Sequence, residues 1–119
     1  MVIANYPLLL DGTPMPTRYW LVDRELSQRV SRLESEGGVK EAEGAVDSQN
    51  VADAHARYAE ERDALLPPDW AGPRPRGGGG GTRQGVKCLH AHVAWWLAGG
   101  DDPVGLWAAE RVGLAPPDR

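Results

Sequence analysis

Apolar residues follow two different rhythms along this chain. Near the start they come in short runs, Tyr6 to Leu10 and then Thr17 to Val22, the second rich in aromatic and β-branched side chains. Between them lies Asp11-Gly12-Thr13-Pro14-Met15-Pro16, a turn signal carrying two prolines that cannot donate ladder hydrogen bonds. This predicts a small N-terminal β-hairpin with arms at 6–10 and 17–22. From Asp23 onward the rhythm is helical. Leu26, Val30 and Leu33 fall at i, i+4 and i+7, which predicts a helix capped by Asp23, running to Ser35 and ended by Gly37-Gly38. A short helix follows over 39–46. Asp47 or Ser48 caps a longer one through Leu66, with Val51, Ala54, Tyr58 and Leu65 as its stripe and His55 beside it. Pro67-Pro68 stops it. Leu89, Val93, Trp96 and Leu97 predict a helix from about Lys87, closed by Gly99-Gly100. Asp102-Pro103 then begins a last helix, whose apolar face is Val104, Trp107, Ala108 and Val112.

The expected fold class is therefore α+β: a small hairpin packed by three or four helices, with one domain spanning 1–119. Composition adds a flexible central linker at 67–85, where 4 of 19 residues are Pro and 7 are Gly, including the run Gly77 to Gly81. No apolar stretch nears the roughly 20 residues of a membrane helix. The first residues lack the basic and apolar regions of a signal peptide. One cysteine in 119 residues excludes an internal disulfide framework and points to a reducing cytoplasm.

Charge is uneven. The formal net charge is −4, divided as −5 over 1–66, +3 over 67–87 and −2 over 88–119. An acidic body with one basic strip argues against general nucleic-acid binding and leaves room for a small anion near the strip. A Gly-rich loop ahead of a helix offers backbone N–H donors, so Gly81, Arg83 and Lys87 are candidate anion-binding residues. The loop is not a nucleotide-binding P-loop. Gly80 and Gly85 have the right spacing, but Val86 intrudes before Lys87, and Cys88 replaces the hydroxyl that would hold Mg²⁺.

The segment 87–92, KCLHAH, holds the only Cys and two of the three His. If it is helical from Lys87, Cys88 and His92 share a face and supply two corners of a Zn²⁺ tetrahedron, while His90 points away by about 200°. If it is extended, Cys88, His90 and His92 alternate onto one face and all three bind. His55, Asp101 and Asp102 are the candidates for completing the set. A second reading is thiol chemistry: a cysteine in the first helical turn, beside Lys87, favours the thiolate, with His92 as proton partner. A third is a non-enzymatic interaction protein, such as a homodimer, that uses the Trp-rich C-terminal helices around Trp95, Trp96 and Trp107, and a fourth is a phosphate- or anion-binding enzyme that uses the Gly-rich loop before Lys87.

The strings DGTPMPTRYWL (11–21), VSRLESEGGV (30–39), GGTRQGVKCLHAH (80–92) and LAGGDDPVG (97–105) resemble a mainly actinobacterial family, domain of unknown function number five hundred and one. The likeness runs in order over most of 5–112. It implies no established activity; members often lie near genes for septum formation and enolase. Family members usually carry an upstream Cys-Pro-x-Gly-x-Pro type motif, and this sequence holds no such cysteine. The resemblance therefore implies that a metal site completed by that cysteine would lack a ligand here. The sequence alone thus yields a candidate divalent-metal site at Cys88, His92, His90 and His55, most simply for Zn²⁺, and leaves whether the protein is an enzyme open.

Overall fold

A computed structural model describes residues 2–78 and 85–114 of the chain. The fold is α+β, an antiparallel hairpin followed by five helices. Strand β1 (Val2–Ala4) pairs with β2 (Tyr19–Leu21), placing Val2 opposite Leu21, Ile3 opposite Trp20 and Ala4 opposite Tyr19. The second arm lies where the aromatic run predicts it. The first lies upstream of the Tyr6–Leu10 run, and the reason is proline. Pro7 faces a segment containing Pro14 and Pro16, so that stretch keeps only an isolated bridge between Leu8 and Pro14. Between the Ala4–Tyr19 pair and that bridge the first arm advances four residues and the second five, a one-residue bulge. Beyond it, Leu9 and Leu10 project into solvent.

Helix α1 (Arg24–Ser35) starts on Asp23, whose carboxylate accepts from the Leu26 amide at 2.9 Å. Gly37, at φ 89°, turns the chain in a left-handed conformation that other residues adopt only with strain. Helix α2 (Gly38–Ala45) follows, then α3 (Ser48–Asp63), capped by Asp47. The α3 helix ends before Leu66, ahead of Pro67-Pro68, because a residue preceding proline is pushed out of helical conformation. Helix α4 (Leu89–Leu97) begins two residues later than Lys87, and α5 (Pro103–Arg111) begins on the Asp102-Pro103 pair. Among the described residues no helix is long and apolar enough to cross a membrane.

Helix α4 is the centre of the packing. It lies against β2, α1 and α5, and seven of its nine residues are buried. Leu26, Val30, Ala42, Val51, Leu89, Val93, Val104 and Ala108 form the core around it. The α4 and α5 backbones come close at Gly105, where a Cβ would lie 2.5 Å from the His92 carbonyl oxygen. Trp95 and Trp96 are buried, and Trp107 lies partly covered with the Arg111 guanidinium over its ring at 4.5 Å. The C-terminal helices therefore spend Trp95 and Trp96 on packing, since α4 is enclosed from several sides. Exposed large apolar side chains concentrate instead on the hairpin, at Ile3, Tyr6, Leu9, Leu10 and Trp20.

The Pro/Gly-rich stretch has neither helix nor strand through residue 78, yet Pro75, Gly77 and Gly78 are buried. The cause is Arg62 on α3. Its guanidinium, itself buried, donates to the Pro16 carbonyl at 2.9 Å and the Gly77 carbonyl at 2.8 Å. One charged fork thus holds the hairpin's return arm and the proline-rich stretch against one helix.

Candidate metal centre

The first turn of α4 carries an unusual cap. Cys88 is the N-cap residue, extended at φ −151° and ψ 123°, and its side chain offers no oxygen to the orphan amides of the helix start. Glu34, near the end of α1, supplies the missing acceptor: its Oε2 takes the Leu89 N–H at 2.8 Å. The carboxylate is thereby fixed beside the KCLHAH segment, with Oε1 directed at His90 Nδ1, 3.2 Å away. Cys88 Sγ lies 3.9 Å from the same nitrogen. Ligand atoms of Glu34, Cys88 and His90 all fall within 4.8 Å of one another, and all three side chains are half-buried.

The far side of the His90 ring sets its tautomer. Nε2 sits 3.1 Å from the Ser27 carbonyl oxygen and 3.2 Å from Ser31 Oγ. A carbonyl can only accept, so Nε2 carries the proton and the Nδ1 lone pair faces the Glu34 carboxylate and the Cys88 sulfur. Two lone pairs repel, so a cation belongs between them, either a proton or a metal ion. A metal-ligating histidine usually donates its other ring N–H to such a carbonyl, which serves as its outer support. The spacings suit such an ion: tetrahedral Zn²⁺ separates N and O donors by about 3.3 Å, and S and N donors by about 3.6 Å.

The four ligands expected from sequence separate into two places. Cys88 and His90 come together because Cys88 lies just outside the helix, where i, i+4 geometry does not apply. His92 turns to the opposite side of α4, into the core. Its Nδ1 meets Asp102 Oδ2 at 2.6 Å, with side-chain exposures of 2% and 0%. The other Asp102 oxygen caps α5 by accepting from the Val104 amide at 2.9 Å. The His55 ring packs 5.4 Å from that of His92, and His55 Nε2 is 2.7 Å from the Gly85 carbonyl. Burial pushes the His55 pKa down; the Gly85 contact opposes this and the His92 charge adds to it. Asp101 lies on the surface near Arg57. Of the candidate anion loop, Gly81 and Arg83 lie outside the described residues, and Lys87 is exposed.

The thiolate expectation is reversed. Burial pushes the Cys88 thiol above its ordinary value and the Glu34 charge adds to the rise, while backbone hydrogen bonding at Ala91 and His90 opposes it. The carboxylate, rather than Lys87, is the charged neighbour that matters, so Cys88 is not an activated nucleophile in the metal-free protein. A bound metal ion would displace the proton and stabilise the sulfur as thiolate.

Glu34 is the ligand that sequence reasoning overlooks. Its signal is a polar stripe, Ser27, Ser31 and Glu34 at i, i+4 and i+7, running one position behind Leu26, Val30 and Leu33. His90 contacts all three members of that stripe.

A family model described as "Protein of unknown function (DUF501)" matches residues 1–110. The chain belongs to this family. Neither the curated proteins nor the solved structures contain a match to this DUF501 chain. The match covers both the Ser27–Ser31–Glu34 stripe and the KCLHAH segment, so the whole cluster lies within the family region.

Proposed function

We propose that this DUF501 protein binds one divalent cation, most simply Zn²⁺, through Glu34 Oε1, Cys88 Sγ and His90 Nδ1. The observation that carries the reading is the convergence of ligand atoms of Glu34, His90 and the chain's only thiol within 4.8 Å of one another, with the His90 ring held from its far side by the Ser27 carbonyl. Soft sulfur and imidazole with one carboxylate favour zinc over magnesium or calcium, which prefer all-oxygen sites. Three protein ligands leave one tetrahedral position for water or another molecule, the arrangement of reactive rather than purely structural zinc centres. A reducing cytoplasm suits this role, since it keeps the single thiol available to a metal.

Elemental analysis of protein purified without a His-tag tests the reading. About one zinc per chain is expected in the wild type, with loss of stoichiometric metal in Cys88→Ser and His90→Gln but not in His92→Gln. Metal-free wild-type protein that also fails to take up added zinc would overturn it. Equal zinc content in the wild type and Cys88→Ser would move the metal elsewhere.

A further inference from the structure

The cluster opens onto a groove of about 400 Å³ between the hairpin and α4. Its walls are Tyr19, Trp20 and Leu21 of β2 and Ala91 of α4, with Thr17 as a polar group, and Cys88 and His90 line it from the site. Glu34 lies outside this lining. Cys88 and His90 thus belong to both the cluster and the groove, so a fourth coordination position on that side would be within reach of a molecule seated in the groove. Resting on the metal reading above, we infer that the groove takes a compact, uncharged molecule with a flat apolar body, which donates one lone pair to the metal.

Size, surface and charge each narrow the ligand. A space near 400 Å³ lies at the small end of ligand pockets, enough for one or two rings. Tyr19, Trp20, Leu21 and Ala91 offer an apolar surface, and Trp20, a residue 45% exposed whose Nε1 donates to Asn5 Oδ1, is the exposed aromatic ring of that lining. The charge argument is the more selective. A divalent ion held by the Glu34 carboxylate and the Cys88 thiolate is formally neutral. Among the described residues no Lys or Arg lines the groove. An anionic ligand would lose its hydration without gaining a countercharge, whereas a neutral oxygen or nitrogen donor gives up little and gains the metal bond. The same ion would polarise the bound donor, as Lewis-acid zinc does.

The experiment uses the full chain loaded with Co²⁺, whose thiolate charge-transfer band reports Cys88 coordination and whose visible bands report the open position. Three probes are titrated: 4-phenylimidazole, 4-methylimidazole and benzoate. The neutral ring-bearing probe is expected to shift the visible bands and to bind at least about tenfold more tightly than either of the others. In Trp20→Ala that advantage is expected to shrink to about threefold. A charge-transfer band accompanied by equal affinities for the two imidazoles, by tightest binding of benzoate, or by an unchanged ring advantage in Trp20→Ala would overturn the groove assignment while leaving the metal reading intact. Absence of the charge-transfer band would overturn both.

Discussion

Two histidines two residues apart on α4 have opposite fates. His90 stands at the edge of the helix, half-buried, with its ring nitrogens shared among Ser27, Ser31, Glu34 and Cys88. His92 lies about 200° around the helix axis, sealed in the core and joined to one carboxylate. Both rings meet an acid, yet the settings differ in access. The Cys88–His90 side borders a groove, and its polar atoms converge on a point where a cation fits. The His92–Asp102 pair ties α4 to the start of α5 through Nδ1 alone, and among the described residues His92 Nε2 is buried without a hydrogen-bond partner. An acid–histidine contact is therefore not a functional site by itself. The contrast teaches that convergence of several donors beside open space is what distinguishes a candidate site from a structural clasp.

That contrast can be tested from the sealed side first, where the largest effect lies. Asp102→Ala strands His92 in the core and removes the α5 cap together, so a loss of about 3–5 kcal/mol is expected in urea unfolding. Metal-free Cys88→Ser is expected to lose less than about 1 kcal/mol in the same assay, because its side chain is only half-buried. A larger loss from Cys88→Ser than from Asp102→Ala would invert the assignment of the two regions.

Metal removal reads the open side. With free zinc at about 100 times its dissociation constant, chelation should lower wild-type stability by about 2.7 kcal/mol. It should leave Cys88→Ser unchanged, and differential scanning calorimetry checks both outcomes.

Acid sensitivity belongs to the sealed side again. The pKa of His55 is depressed in the folded protein by burial, so the unfolded chain binds the proton more readily. Its contribution to stability is present above the unfolded value near 6.5 and is lost as the pH falls through the lower folded value. One such proton limits the slope to about 1.4 kcal/mol per pH unit. Urea midpoints for the wild type should fall between pH 7.5 and 5.5, and fall less in His55→Gln; parallel curves would remove His55 as the cause.

The smallest effect is expected at Ser31→Ala. Removing this exposed hydroxyl leaves the Ser27 carbonyl to orient His90, so stability should change by less than about 0.5 kcal/mol. Zinc affinity should fall by about tenfold, the lower end for outer-sphere partners. A competition titration with a chromophoric chelator measures it.

Much of the fold was legible where the signals are local. Asp23, Asp47 and Asp102 each begin a helix through their own carboxylates, and the apolar spacing after each one names most of its buried face; Leu65 is the exception, lying past the end of α3 and exposed. The first hairpin arm was less so, because Leu8, Leu9 and Leu10 look like strand residues, while the prolines across from them break the ladder. The candidate site was half legible. KCLHAH announces its own chemistry, but the partner of His90 depends on which face of α1 meets α4, across the 55 residues of chain between Glu34 and His90. Asp102 was readable as a cap. Its second role, holding His92, appears only once the Gly99-Gly100 turn brings α5 back along α4 and Gly105 lets the two helices close.

The borrowed cap at Glu34 has a practical corollary. One oxygen of that carboxylate organises the opening turn of the central helix, and the other faces the sulfur and the imidazole. A change at Glu34 is thus felt by folding and coordination at once, so its phenotype would be ambiguous by construction. The Cys88 side chain lacks the oxygen of an ordinary N-cap and makes no capping hydrogen bond of that kind, which makes it the cleaner place to separate the two duties genetically.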